Sequence, residues 1–280
     1  MVDVVRTVGE LRQWRADVGA REVAFVPTMG FLHEGHVELL REGRRRVPRE
    51  RGELVLSIYV NPTQFNDPKD LANYPRDEVG DLAKAEAAGV DLAFIPDPGE
   101  LYLPGASTFV EVEGLDGHLC GATRPGHFRG VCTIVSKLWL LIRPDVALFG
   151  EKDFQQLAIV RRMHRDLFLG GEIVGVPTIR EADGLAMSSR NARLSASGRA
   201  DAVAIPRFLA RVRERWAAGE REAQQLIADA EGALATGRID YVSVVDAETL
   251  QPIERGEARV LVALAVFFEG VRLIDNVQLG

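Results

Sequence analysis

His33 and His36 lie three residues apart, with Gly35 between them, in the run Pro27-Thr28-Met29-Gly30-Phe31-Leu32-His33-Glu34-Gly35-His36. The run Glu22 to Val26 before it reads as a buried strand that Pro27 and Gly30 stop. A helical pattern with Val37, Leu39 and Leu40 begins near His36. A turn at the carboxyl end of a parallel strand lies where open α/β sheets bind ligands. The helix N-terminus adds free backbone N–H groups and partial positive charge, so phosphate is the expected guest. Two imidazoles can donate hydrogen bonds to phosphate oxygens as charge grows in a transition state, without covalent chemistry. Either histidine alone could be a polar helix cap; the whole His-x-Gly-His element after a strand favours chemistry.

Three further segments carry polar groups at similar places. Phe149-Gly150-Glu151-Lys152-Asp153-Phe154-Gln155-Gln156-Leu157 again joins a strand end to a helix. Lys152 can balance triphosphate charge, Gly150 leaves room for a ribose, and Asp153 can accept from a ribose hydroxyl or cap the helix. Gly184-Leu185-Ala186-Met187-Ser188-Ser189-Arg190-Asn191 offers hydroxyls and a guanidinium in succession, which suits phosphate, although a domain linker with a helix cap would look alike. Val60-Asn61-Pro62-Thr63-Gln64-Phe65-Asn66 follows a strand and carries amides. Gln64 and Gln156 could converge on a hydroxylated substrate, reading it without adding charge.

The elements that position these groups alternate. Strand candidates are Glu22 to Val26, Leu54 to Val60, Leu92 to Ile95, Phe109 to Val112, Val146 to Phe149 and Ile173 to Val176, with helices at Asp77 to Ala88, Val131 to Ile142 and Phe154 to Phe168. A polar loop to Asn191, helical stretches to about Ala235 and strands at Tyr241 to Val245, Val260 to Phe267 and Val271 to Ile274 follow. The expected fold class is α/β: a doubly wound, Rossmann-like parallel sheet domain over residues 1–177, then a smaller α+β domain over residues 178–280 that closes over a nucleotide site. The charge run Arg41 to Arg51 reads as a solvated helix end.

Composition narrows the function classes. A net charge of -7 disfavours nucleic acid and acidic membranes as partners. Cys120 and Cys132 are the only cysteines and lack metal-ligand spacing, so a reducing, cytoplasmic compartment is expected. Neither a signal-peptide core near Met1 to Glu10 nor a run of membrane-span length is present.

The His-x-Gly-His element with a downstream Met-Ser-Ser-Arg loop resembles the nucleotidylyltransferase superfamily, which includes class I aminoacyl-tRNA synthetases. Within it, Pro27 to His36, Val60 to Phe65, Arg124 to Val131, Phe149 to Leu157 and Ser188 to Asn191, in that order, resemble the pantothenate synthetase (pantoate:beta-alanine ligase) family. The likeness runs from about Val23 to the closing Arg272-Leu273-Ile274-Asp275-Asn276. It implies ATP-dependent condensation of pantoate with beta-alanine through a pantoyl adenylate, releasing pyrophosphate and AMP.

By position, the resemblance makes His36, His33 and Lys152 catalytic, with His36 matching the residue usually assigned as proton donor. ATP falls to Met29, Gly30, His33, His36, Gly150, Lys152, Asp153, Ile179, Met187, Ser188, Ser189 and Arg190. Pantoate falls to Met29, Gln64 and Gln156, and beta-alanine to Gln64, Asn61 and Tyr74. An acidic cluster that helps to hold magnesium in some relatives reads Asp77-Glu78-Val79-Gly80-Asp81 here, with only part of an acidic pair, so no protein metal ligand is assigned and Mg2+ is expected on the ATP phosphates. No tightly bound organic cofactor is expected. Arg124 to Gly130 would serve a flap or a dimer, and His118 and His164 read as structural. The resemblance also implies a homodimer. Rival readings are a nucleotidylyltransferase that moves AMP or CMP onto a phosphate or alcohol, and an ATP-binding regulatory module without catalysis.

Overall fold

A computed structural model describes residues 1–280. Six parallel strands form one sheet: β1 (Asp3–Val5), β2 (Glu22–Thr28), β3 (Gly52–Ile58), β4 (Leu92–Phe94), β5 (Val146–Gly150) and β6 (Glu172–Val176), in the order β1-β4-β3-β2-β5-β6. The connections run outward in one direction from β2 through β3 to β4 and in the other from β5 to β6. The order therefore reverses between β2 and β5, which pair at Ala24↔Val146 and Phe25↔Ala147. That reversal places the crevice of a doubly wound sheet at the carboxyl ends of β2 and β5.

Five of the longer helices are α1 (Val8–Val18), α2 (Glu34–Arg46), α3 (Glu78–Ala87), α4 (His127–Ile142) and α5 (Phe154–Asp166). Thr7 and Glu10 close a capping box at the start of α1. Helix α2 lays Val37, Leu39 and Leu40 against Ala24, Val26, Leu54, Leu56 and Leu148 of the sheet. Leu40, Leu54 and Leu56 are fully buried, worth about 1.5–3 kcal/mol each relative to exposure. Within the arginine run, Arg45 and Arg46 on α2 pair with Glu38 and Glu42 at the surface, and Arg51, beyond the helix, pairs with Glu22. Arg44 departs from the solvated reading: it is half-buried, pairs with Asp91 and donates to the Gly89 carbonyl.

The chain divides into two compact units. One comprises Met1–Val112, Arg124–Glu151 and Ile159–Pro177; the other comprises Glu113–Thr123, Lys152–Ala158 and Thr178–Gly280. Besides the change at Pro177, two inner segments thus group with the second unit, and a buried amide ties them together. Gln155 donates to the carbonyls of Leu115 (2.9 Å) and His118 (2.8 Å) and accepts the Cys120 N–H (2.9 Å). The rest of the second unit includes an antiparallel sheet of β7 (Arg238–Asp246), β8 (Val260–Phe268) and β9 (Val271–Leu279), in that order. Helix α6 (Ala204–Ala217) packs Ile205, Phe208, Leu209 and Val212 into a core with Val260, Val262, Leu264 and Val266.

Two sequence expectations differ from the fold. Phe109 to Val112 is not a strand. From Val110 to Val112 it alternates with the strand period, but the sheet offers it no neighbour. The Val110 N–H bonds instead to Thr133 Oγ1 on α4 (3.0 Å), and Phe109 stays half-exposed beneath the Arg129 guanidinium. Strand β1 and helix α1 add an edge to the sheet that hydrophobic periodicity did not single out. No helix is long and apolar enough to cross a membrane.

Candidate active site

The turn from β2 into α2 accounts for nearly all of its own backbone donors. The Gly30 N–H goes to Thr28 Oγ1 (3.2 Å), and the Phe31 and Leu32 N–H groups go to Asp81 Oδ2 (2.8 Å) and Oδ1 (2.6 Å). The His33 N–H goes to His36 Nδ1 (3.3 Å), and the Gly35 N–H to His33 Nδ1 (3.1 Å). The expectation of free amides for phosphate is corrected here, because internal acceptors have already taken them.

The reciprocal cap also sets the chemistry of the two imidazole rings. A backbone N–H can point only at a lone pair, so Nδ1 of both histidines is the acceptor and the proton of each neutral ring sits on Nε2. The two rings lie 4.1 Å apart between centroids. His33 is the N-cap of α2, so capping and phosphate contact are compatible for it. His127 on α4 shows the opposite arrangement: its Nδ1 donates to the Gln64 carbonyl (2.8 Å) and its Nε2 lies 3.1 Å from Arg124 Nη1.

Gln64 sits in a short 3-10 turn, Pro62–Gln64. Its Nε2 donates to Met29 Sδ (3.2 Å) and its Oε1 accepts from Asn61 Nδ2 (3.0 Å), so the turn brings Met29, Asn61 and Gln64 together. Asn61 is almost completely buried; it also donates to the Gly130 carbonyl (3.1 Å) and accepts from the Thr63 hydroxyl (2.9 Å) and N–H (3.4 Å). Its donors and acceptor are thus engaged inside the protein, one of them on Gln64. Tyr74 is buried with its ring edge-on to Phe65.

The segment Arg124 to Val131 supplies the support that sequence did not reveal. Arg124 Nη2 (3.0 Å) and His127 both hold the Gln64 carbonyl, and a Cβ at Gly130 would lie 2.6 Å from the Thr63 carbonyl oxygen. Gly130 is therefore where α4 comes into contact with the backbone of the amide-bearing turn.

Gly150 ends β5, beside β2 at the sheet reversal, and a Cβ there would meet nothing within 4 Å. The chain then makes a 3-10 turn, Glu151–Asp153, that leads into α5. In the second unit, Lys152 Nζ lies 3.8 Å from Asp153, and the Lys152 carbonyl accepts from Asn276 Nδ2 (3.0 Å). Gln156 is half-buried, whereas its neighbour Gln155 is consumed by the Leu115–Cys120 segment.

The Ile179–Arg190 loop is a hairpin: Met187 N–H bonds to Ile179 O (2.9 Å), Glu181 N–H to Leu185 O (2.8 Å), and Arg180 bridges to Ala186. Arg180 makes two bonds to the Asp275 carboxylate, at 2.7 and 3.0 Å, and Asp275 is 1% exposed. Arg199 pairs with Glu181 and Asp183, and Asn191 donates to Glu181 Oε1 (2.8 Å). Ser188 caps the turn that contains Ser189 and Arg190 through a bond from the Arg190 N–H (3.2 Å). Of the two remaining histidines, His118 Nε2 lies 2.9 Å from Gln251 Oε1 and His164 Nε2 3.2 Å from the Gly170 carbonyl.

Known proteins with similar sequences and folds are consistent in kind. The family model described as Pantoate-beta-alanine ligase matches residues 3–278. The pantothenate synthetase of Anaeromyxobacter dehalogenans is 54% identical over 94% of this chain and 92% of that protein. That of Myxococcus xanthus is 51% identical over 99% and 96%. The crystal structure of pantothenate synthetase from Thermus thermophilus superposes with a TM-score of 0.92 at 45% identity, covering 99% of each chain. The Francisella tularensis pantoate-beta-alanine ligase, solved with beta-gamma ATP and beta-alanine, gives 0.82 at 29% identity over 99% and 97%.

Proposed function

From the premise that the chain belongs to the pantoate-beta-alanine ligase family, we propose how its residues divide that reaction. The enzyme condenses pantoate with beta-alanine at the expense of ATP, giving pantothenate, AMP and pyrophosphate through pantoyl adenylate. The observation that carries this reading is the family match over residues 3–278.

A pantoate carboxylate oxygen attacks the α-phosphorus of Mg-ATP, a P–O bond forms, and the bond to the leaving pyrophosphate breaks. The beta-alanine nitrogen then attacks the acyl carbon; a C–N bond forms, the C–O bond to AMP breaks, and the amine loses a proton to solvent. No protein nucleophile takes part, so the residues contribute position and charge. His33 and His36 donate Nε2–H hydrogen bonds to ATP phosphate oxygens, and Lys152 offsets the charge that develops as pyrophosphate leaves. Gly150, Asp153, Ile179 and the Met187–Arg190 segment hold nucleotide, with Met29 and Gly30 beside it. Gln64 and Gln156 read pantoate through hydrogen bonds, with Met29 along its apolar part. Gln64 also meets beta-alanine, while Asn61 and Tyr74 shape that approach.

Mg2+ enters as part of the Mg-ATP substrate. Both Asp81 oxygens accept backbone N–H groups, which ties this buried carboxylate to the β2–α2 turn. The family resemblance further supports a homodimer, and the two buried free thiols of Cys120 and Cys132 fit a cytoplasmic enzyme.

The test is release of pyrophosphate and AMP from purified protein given Mg-ATP and pantoate, with and without beta-alanine. Pyrophosphate with pantoate alone, then AMP and pantothenate once beta-alanine is added, is the expected result. Nucleotide transfer to a phosphate or alcohol, or binding without turnover, would overturn it.

A further inference from the structure

We propose that Asp81 is a positioning residue for the reaction, holding the turn that fixes where His33 and His36 present their Nε2–H groups. This rests on the role proposed above for the two histidines. Asp81 lies in α3, far from the turn in sequence, and is 1% exposed. Each of its oxygens accepts one of two consecutive amides, those of Phe31 and Leu32.

The turn needs that acceptor. Gly30 and Phe31 both have left-handed backbones, with φ of 79° and 52°. Such a pair aims successive N–H groups into one concavity, an anion-binding arrangement, and Phe31 lacks glycine's freedom there. Asp81 is the built-in anion. Its place exists because residue 30 has no side chain: a Cβ there would come 2.9 Å from Asp81 Oδ2 and 2.8 Å from Ile58 Cγ2.

Two simpler roles fit less well. Asp81 is not needed to cap its own helix, since Asp77 already accepts the Gly80 N–H at 3.0 Å. Nor is it a solvated surface charge; burial pushes its carboxyl above the ordinary range, against the opposing pull of the Leu32 and Phe31 amides. The His33 amide comes next in the chain after these two and is itself the donor that fixes the His36 tautomer. A shift of the turn would therefore move His33 as N-cap and His36 through the reciprocal bond.

The experiment compares Asp81→Asn and Asp81→Ala with Ala85→Gly, a destabilising change in the same helix that leaves the carboxylate alone. Two properties are read on the folded fraction: kcat and KM for each substrate, and the nitrogen NMR signature of each imidazole without substrate. We expect kcat to fall by roughly 10–100-fold in Asp81→Ala, with KM values within about threefold, and Asp81→Asn to lie between it and the parent. The Nε2–H signature of His33 and His36 should become a mixture of tautomers in Asp81→Ala, whereas Ala85→Gly should keep parental kcat and spectra.

Parental tautomers and kcat in the Asp81 variants would overturn the proposal, as would restoration of their activity by raised Mg2+, which would make Asp81 a metal-linked group. If Asp81→Ala does not fold, the Asp81→Asn spectra decide alone. Because the spectra are taken without substrate, they test Asp81 even if the parent fails to make pantothenate.

Discussion

The two units hold the segments proposed to meet ligands by different physics. In the first, the β2–α2 turn is tied by backbone donors to a buried carboxylate and two imidazoles, at the end of a strand whose centre, Val23 to Val26, is fully buried. In the second, the Ile179–Arg190 hairpin is held largely by ion pairs, of which Arg199–Glu181 and Arg199–Asp183 are partly solvated. The first arrangement changes little with salt, since its donors are neutral amides and its acceptors are buried or uncharged. The second carries charge pairs that ions can screen. The contrast teaches that one protein can hold one turn through neutral donors on a buried carboxylate and another through charge pairs that salt weakens.

Breaking the chemical side should have the largest effect. His36→Ala and Lys152→Ala should each lower kcat by about 10²-fold or more with the fold intact by circular dichroism, and near-parental turnover in either would remove that residue from the mechanism. Next comes the anchor of the hairpin. Asp275→Ala leaves a partly buried Arg180 without its carboxylate and should cost about 2–3 kcal/mol in urea unfolding, with a raised KM for ATP. A variant as stable as the parent would show that the hairpin does not depend on this pair.

Gln156→Ala should raise KM for pantoate about tenfold while leaving that for ATP within about threefold, the loss expected for one or two hydrogen bonds to a neutral amide. Equal changes in both would remove Gln156 from the pantoate side.

The smallest effect, and the one that sharpens the contrast most directly, is in pH. Hydrogen bonds from Arg199 hold the Asp183 carboxyl below its ordinary value, so its stabilisation is present above the unfolded value and is lost as pH falls through the folded one. Burial raises the Asp81 carboxyl, so the folded state holds that proton more tightly and stability falls as pH rises from 3.8 through the folded value. Denaturant titrations of Asp183→Asn and Asp81→Asn against the parent should therefore diverge with opposite slopes in acid. Parallel slopes would show that one carboxyl is misassigned.

Much of the fold was legible because its signals are local. The carboxyl ends of β2, β3 and β5 carry Pro, Gly or Asn at the turn, and α2 repeats apolar residues at helical spacing. The His-x-Gly-His element could be placed at a strand-to-helix turn for the same reason. What was not legible depends on tertiary partners. Nothing near Asp81 in sequence announces Phe31 and Leu32 as its donors, and Arg124 and His127 meet Gln64 some 60 residues away. Gln155 and Gln156 are the same residue type side by side, and only the fold shows that Gln155 is spent on Leu115, His118 and Cys120. Phe109 to Val112 misled because alternation records a half-buried extended segment, not the presence of a neighbouring strand. Strand β1 and α1 went unread although Thr7 and Glu10 have the spacing of a capping box.

The reciprocal cap of His33 and His36 bears on how the catalytic cycle closes. A ring that surrenders its proton must be recharged before the next turnover, and that step would leave a trace in the rate. A neutral ring whose Nδ1 lone pair is engaged by the backbone could give up Nε2–H only as imidazolate, which is not accessible near neutral pH. If the two rings act as proposed, only by donating Nε2–H, each round ends with them in the state in which it began, with nothing to reset.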